Sequence, residues 1–205
     1  MKRSSLEKRL HLSTIGSDSY EAAKQYGLGI EVAEFCTAMN LDSGRDDILA
    51  DIQRKIKGVE KKWFHDPFSE LCPAAIDPKV RALSKERYLE GIEAARVLGI
   101  HNIVIHSGYI PLVYFPVWFV EQSVLFWKDF LKDAPKDSRI GLENVMEGEP
   151  SMLVDIARQV DDPRFGLTLD IGHANCVVSE LPPRRRDPGR CRSPRWSASP
   201  HTRRG

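Results

Sequence analysis

The chain has 205 residues, 41% of them apolar and 29% charged, with 30 basic side chains against 29 acidic ones. That holds enough apolar material for one large domain with a core, and it excludes a chain disordered throughout. The longest apolar run is Ile110 to Val120, interrupted by two prolines, against the roughly 20 residues that a bilayer span requires.

Taken in order, LHLSTI (10–15) reads as a short strand and SDSYEAAKQY (17–26) as a helix closed by Gly27. LGIEVAEF (28–35) is a β-branched apolar run of strand length. Asp42 or Ser43 can cap the next helix, which carries Ile48, Ile52 and Ile56 at a spacing of four and stops at Gly58. KKWFHDPF (61–68) gives a third strand ending at a proline. The clearest helix follows, capped by Asp77, opened by Pro78 and stopped by Gly99, with Val80, Leu83, Ile92, Ala95 and Leu98 as its apolar positions. NIVIHSG (102–108) is a fully apolar strand ending in polar residues and glycine, and 117–131 reads as a helix. RIGLEN (139–144) is the fifth strand, 151–160 the next helix, and FGLTLDIGH (165–173) the sixth strand with its exit loop.

Past Glu180 the composition changes. Residues 181–205 hold eight arginines, five prolines and one acid, a charge of +7, which leaves −6 on residues 1–180. The expected organisation is a domain over 1–180 and an Arg/Pro-rich tail over 181–205, disordered or read from a shifted frame rather than a native basic arm. Cys36, Cys72, Cys176 and Cys191 form no CxxC pair, and the start MKRSSLEKRLHLS has no apolar stretch behind its charges. A cytoplasmic, reducing setting without a signal peptide is therefore expected.

Strands apolar on both faces that alternate with helices point to a parallel sheet covered by helices. No GxGxxG follows the first strand, which argues against a dinucleotide-binding sheet. The polar residues decide the architecture: His65, His106, Glu143, Asp170 and His173 fall at, or just past, the C-terminal ends of strands three to six. Strand ends converge on one rim in a barrel, so the expected fold is an α/β TIM (β/α)8-type barrel, incomplete, with about six βα units.

Singly, each of these residues has a bland reading. His65 fits a turn histidine bonded to Asp66, and His106 a structural histidine at a strand end. Glu143 says more, because a carboxylate at the end of a buried strand needs a cation or strong donors beside it. Asp170 and His173 form D-x-x-H on the exit loop, a spacing at which both reach one ion or substrate. Trp63, Phe64 and Phe68 suit an apolar pocket wall or the core equally. His11 and His101 sit at strand starts and His201 in the tail, and none is assigned a role. Jointly, carboxylate and imidazole ligands suit Zn, Mn, Co or Mg.

The pieces FHDPFSEL, ARVLGI, NIVIHSGY, IGLENV and LTLDIGHA, in this order over about residues 10–180, resemble the xylose isomerase-like barrel superfamily. It contains sugar and sugar-phosphate isomerases and epimerases as well as the endonuclease IV group. The resemblance implies that Glu143 and Asp170 bind a divalent metal, that Glu143 shares in acid–base chemistry and that His173 contacts substrate. In the endonuclease branch it adds His65 and His106 as zinc ligands. The superfamily's seventh and eighth strands, with their ligands, have no counterpart after NCVVSE, so the chain reads as C-terminally truncated and inactive in this form.

The expected function is a metal-dependent isomerase or epimerase of a small sugar or sugar phosphate, working through an enediolate. Its partner is a small carbohydrate, with neither membrane nor nucleic acid and with room for a homo-oligomer. The alternative is a zinc phosphodiesterase acting on abasic DNA, against which the −6 of the body speaks. A third reading is a non-catalytic fragment that pairs its open sheet edges with another chain.

Overall fold

The computed structural model describes residues 9–180. Six strands run through it: β1 (His11–Ser13), β2 (Gly29–Val32), β3 (Lys62–His65), β4 (Asn102–His106), β5 (Arg139–Glu143) and β6 (Phe165–Thr168). Between and after them lie α1 (Ser19–Tyr26), α2 (Met39–Asp42), α3 (Arg45–Lys55), α4 (Pro78–Val97), α5 (Pro116–Asp133), α6 (Ser151–Val160) and α7 (Ile171–Glu180).

The strands form one sheet in the order β1-β2-β3-β4-β5-β6, every neighbour parallel. A doubly wound sheet reverses its strand order at a switch point. This one never does, so it follows the winding of a TIM barrel through six βα units, as expected. Among the described residues β1 and β6 each have a single sheet neighbour. The 181–205 tail lies outside the described residues. No helix among them is long and apolar enough to cross a membrane.

Alternation along the strands sorts side chains into two layers. Ile30, Val32, Phe64, Ile103, Ile105, Ile140 and Leu142 are buried under the helices. There they join Ile52 of α3, Tyr88 and Ile92 of α4, Trp127 and Phe130 of α5 and Ile156 of α6 in one core. Tyr88 stacks on Trp127 with ring centroids 6.0 Å apart, tying α4 to α5. Phe64 therefore belongs to this outer core, where it stacks on Phe35, and not to a pocket wall.

The other layer fills the barrel interior. Trp63 meets the edge of His11 at 5.9 Å and forms a floor near the strand starts. Gly141 makes room for that floor, because a Cβ there would collide with Thr168 Oγ1 and come 3.1 Å from Trp63 Cζ3. His101 lies on the surface, 3.1 Å from Asp137.

Helix signals act as expected where the capping side chain is free. Asp77 accepts the Lys79 N–H at 2.7 Å and Pro78 opens α4. The helix expected from Asp42 or Ser43 instead starts at Arg45, after Gly44 with φ 73°, and Asp42 closes the separate α2. The tertiary contact that goes with this is Arg87 of α4, which takes both Asp42 carboxylate oxygens, at 2.7 and 2.9 Å, and commits that side chain to α4. The D-x-x-H segment is likewise not a loop. Asp170 accepts the His173 N–H on its carboxylate at 2.6 Å and the Ala174 N–H on its carbonyl at 3.1 Å, so it caps α7 and puts His173 in that helix's first turn.

Candidate metal centre

His65 ends β3, His106 ends β4 and Glu143 ends β5, and parallel pairing sets His106 directly beside Glu143. Their side chains converge. His65 Nε2 lies 3.3 Å and His106 Nε2 3.1 Å from Glu143 Oε2, with the two imidazole centroids 4.8 Å apart. His173 approaches from α7, its ring centroid 5.4 Å from that of His106. Two groups of potential ligands result, His65–His106–Glu143 and Glu143–Asp170–His173, each with ligand atoms within 4.8 Å of one another. Glu143 belongs to both.

Outer contacts orient the rings. His65 Nδ1 is 2.7 Å from the Asp66 carbonyl and His173 Nδ1 is 2.9 Å from the Asn144 carbonyl. A carbonyl only accepts, so each Nδ1 carries the proton and each neutral ring offers an Nε2 lone pair, as metal-binding histidines do. The expected His65–Asp66 bond thus exists, but to the main chain. Phe68 stacks on His106 at 4.2 Å and meets the edge of His65 at 5.5 Å, so it, and not Phe64, walls this site.

The electrostatics are those of a buried charge cluster. Burial works to raise the Glu143 carboxyl, yet the His106 and His65 imidazoles prevail and bring it down to about 2. For His65, burial opposes the charged ring and the carboxylates of Glu143 and Glu31 overcome it, so its pKa rises. For His106 burial wins and its pKa falls. Glu31, the inward residue of β2, is pushed by burial up to about 7, and it interacts electrostatically with His65, Glu143, Asp170 and His173.

Glu31 is therefore a third carboxylate of this cluster, one that reading 28–35 as an apolar strand passed over. Its signal was a charged residue set between the apolar Ile30 and Val32. Asn144 and Glu147 were also missed. Glu147, 4% exposed, accepts from Ser107 Oγ and, at 2.6 Å, from the Val145 N–H, which ties the loop after β5 to the loop after β4.

The donors present fit a divalent cation. Glu143 Oε2 is buried, and although two imidazole nitrogens approach it, neither approach has the geometry of a hydrogen bond. An orphaned carboxylate oxygen faced by two imidazole nitrogens is satisfied by a cation between them.

A family model described as "Xylose isomerase-like TIM barrel" matches residues 20–189. The chain belongs to this family. An uncharacterized protein of Methanocaldococcus jannaschii, MJ1311, is 35% identical over 124 residues, 54% of this chain and 41% of that protein. The chain thus matches less than half the length of this curated relative. Among solved structures, a Thermus thermophilus protein, TTHB071, soaked with ZnCl2, is 25% identical with a TM-score of 0.57, over 82% of this chain and 68% of that one. A D-tagatose 3-epimerase-like protein is 24% identical with a TM-score of 0.58, over 80% of this chain and 66% of that one. In this xylose isomerase-like barrel the cluster around Glu143 stands at the C-terminal ends of the strands, the end at which TIM barrels carry their chemistry.

Proposed function

We propose that the protein is a metal-dependent isomerase or epimerase of a small sugar or sugar phosphate, working by proton transfer through an enediolate. One observation carries this reading: Glu143 is shared by two adjoining groups of metal-competent side chains. Family membership and the resemblance to an epimerase-like structure support it. A divalent ion bound here supplies a Lewis acid for the substrate's carbonyl and adjacent hydroxyl.

The chain's own residues take the following roles. Glu143 and Asp170 hold the ion, Zn, Mn, Co or Mg by their donor chemistry. Glu143 is the catalytic residue that moves the proton on the carbon next to the carbonyl. His173, His106 and His65 complete the coordination or receive substrate hydroxyls. Phe68, stacked on His106, offers an apolar face to the sugar and excludes water. The domain spans 1–180, the setting is the cytoplasm, and the partner is a carbohydrate rather than a membrane or nucleic acid.

A second reading has its own support. His65, His106 and Glu143 alone form a two-imidazole, one-carboxylate set, which suits zinc-assisted phosphodiester hydrolysis on abasic DNA. The −6 of residues 1–180 disfavours that polyanionic substrate.

Solvent exchange separates the two. The chain is incubated with Mn or Zn and a panel of ketoses and ketose phosphates in D2O, and deuterium at the carbon beside the carbonyl is followed by NMR. A single general base suffices for exchange, even where net epimerisation needs an acid on the opposite face. Metal-dependent exchange, lowered by roughly 10²–10⁴ in Glu143→Gln, is expected. Exchange indifferent to Glu143→Gln, or metal-dependent nicking of an abasic oligonucleotide without exchange, overturns the reading.

A further inference from the structure

Asn144 directly follows Glu143 and is 2% exposed. Its side-chain amide holds the main chain of Asp170 from both sides. Oδ1 accepts the Asp170 N–H at 2.8 Å, and Nδ2 donates to the Asp170 carbonyl at 3.0 Å. Its own carbonyl accepts from His173 Nδ1 at 2.9 Å. The β5–β6 ladder runs as far as Glu143 beside Thr168, and the Asn144 amide continues the connection past that point with a side chain in place of a strand.

These contacts bear on the two side chains that the exit of β6 contributes. Once the Asp170 main chain is held, one carboxylate oxygen caps α7 at the His173 N–H, which leaves the other free for a ligand. Holding the first turn of α7 then brings His173 Nδ1 onto the Asn144 carbonyl and turns Nε2 away from it.

We propose that Asn144 is the positioning residue of the metal centre, setting through the Asp170 main chain where the Asp170 carboxylate and the His173 lone pair point. Its side-chain amide is committed to the Asp170 main chain, so it acts through its neighbours. Only a side chain with one donor and one acceptor at this length satisfies both Asp170 groups. An aspartate lacks the donor, a leucine lacks both, and a glutamine carries its amide one methylene too far. The proposal rests on the metal reading above, so its test has one arm that needs metal and one that does not.

The first arm titrates the 205-residue chain with Zn(II) and Co(II), by calorimetry and by the Co(II) visible spectrum. The variants are Asn144→Ala, Asp170→Asn as ligand control, and Ile156→Ala as a packing control in the fully buried core of α6. Loss of a residue that orients ligands costs roughly 10–100-fold in metal affinity. Asn144→Ala should show that loss with an altered Co(II) spectrum, whereas Ile156→Ala should bind as the parent does despite its lower thermal stability. Equal affinity in Asn144→Ala and the parent overturns the proposal, as does an equal loss in Ile156→Ala.

The second arm follows amide hydrogen exchange without metal. Asn144→Ala should exchange faster at Asp170, His173 and Ala174, and unchanged protection there also overturns the proposal. If the parent and Asp170→Asn bind metal equally poorly, the metal reading fails by itself, and the exchange arm still decides whether Asn144 holds the start of α7.

Discussion

His65 Nε2 stands 3.3 Å from Glu143 Oε2, while its Nδ1 proton is committed to the Asp66 carbonyl. When His65 is neutral, a lone pair faces a carboxylate, and when it is protonated the two form a buried ion pair. Glu143 and Glu31 favour the protonated ring. A cation entering here must displace that proton, so metal binding and protonation compete for one place.

Metal affinity should therefore rise with pH through the histidine range and level off once His65 is neutral. The released proton is measurable as a dependence of the calorimetric heat on buffer ionisation enthalpy. Affinity that is flat from about pH 5 to 8, the span in which histidine changes charge, would mean that His65 is not a ligand.

Because Glu143 belongs to both ligand groups, its loss should weaken binding more than the loss of Asp170 or His65 alone. Glu143→Gln should lower Zn affinity by more than the ~10–100-fold typical of an orienting residue. Asp170→Asn and His65→Ala should each leave the other group partly intact. Thermal shift in excess metal ranks the three variants, since stabilisation follows RT ln(1 + [L]/Kd).

In the metal-free chain Glu31 should give stability an unusual pH slope. Its carboxyl is raised in the fold to about 7 from an ordinary 4.5, so between these values the folded chain holds a proton that the unfolded chain has released. Stability then falls as pH rises from about 4.5 to 7, by roughly 3 kcal/mol at most for a shift of this size. Glu143 acts in the opposite sense: lowered to about 2, it contributes stability above the ordinary carboxylate range that is lost as pH falls toward 2. Urea unfolding from about pH 4 to 8 should show the Glu31 slope, and Glu31→Gln should flatten it.

Gly141→Ala should destabilise the barrel by about 1–3 kcal/mol, the usual cost of an overpacked interior. The new methyl would press on Thr168 Oγ1 and on the Trp63 ring that floors the site. Thr168→Ala in the same chain should recover part of the loss, a coupling that a double-mutant cycle by thermal unfolding measures.

Glu147→Ala removes the acceptor of Ser107 Oγ and of the Val145 N–H at a buried position. Leaving these donors without partners should cost about 1–3 kcal/mol. Glu147→Gln keeps an acceptor and should cost less. Denaturant midpoints at unchanged m-value distinguish the two.

The fold class was legible because it rests on local signals: apolar strands too hydrophobic for a half-solvated sheet, helices between them, and Asp77–Pro78 and Gly99 around α4. So was the alignment of His65, His106, Glu143 and Asp170 at strand exits, since a parallel sheet puts every strand's C-terminal end on one side. Family membership followed from the same residues. Tertiary contacts decided the rest. Asp42 lost its capping role to Arg87 of α4, and Asp170 gained one at α7, because hydrogen-bond partners are allotted by what comes near in space. Phe64 and Phe68, four residues apart, parted company because one points outward under the helices and the other lies over His106. Glu31 joined the cluster only when β2 took its place beside β3 and turned that carboxylate inward with Trp63. The amide of Asn144 found the Asp170 main chain 26 residues away because β5 and β6 are neighbours in the sheet. Periodicity and capping act within a few residues of sequence, whereas the cluster around Glu143 is assembled from strand ends that meet only after the sheet has curved around them.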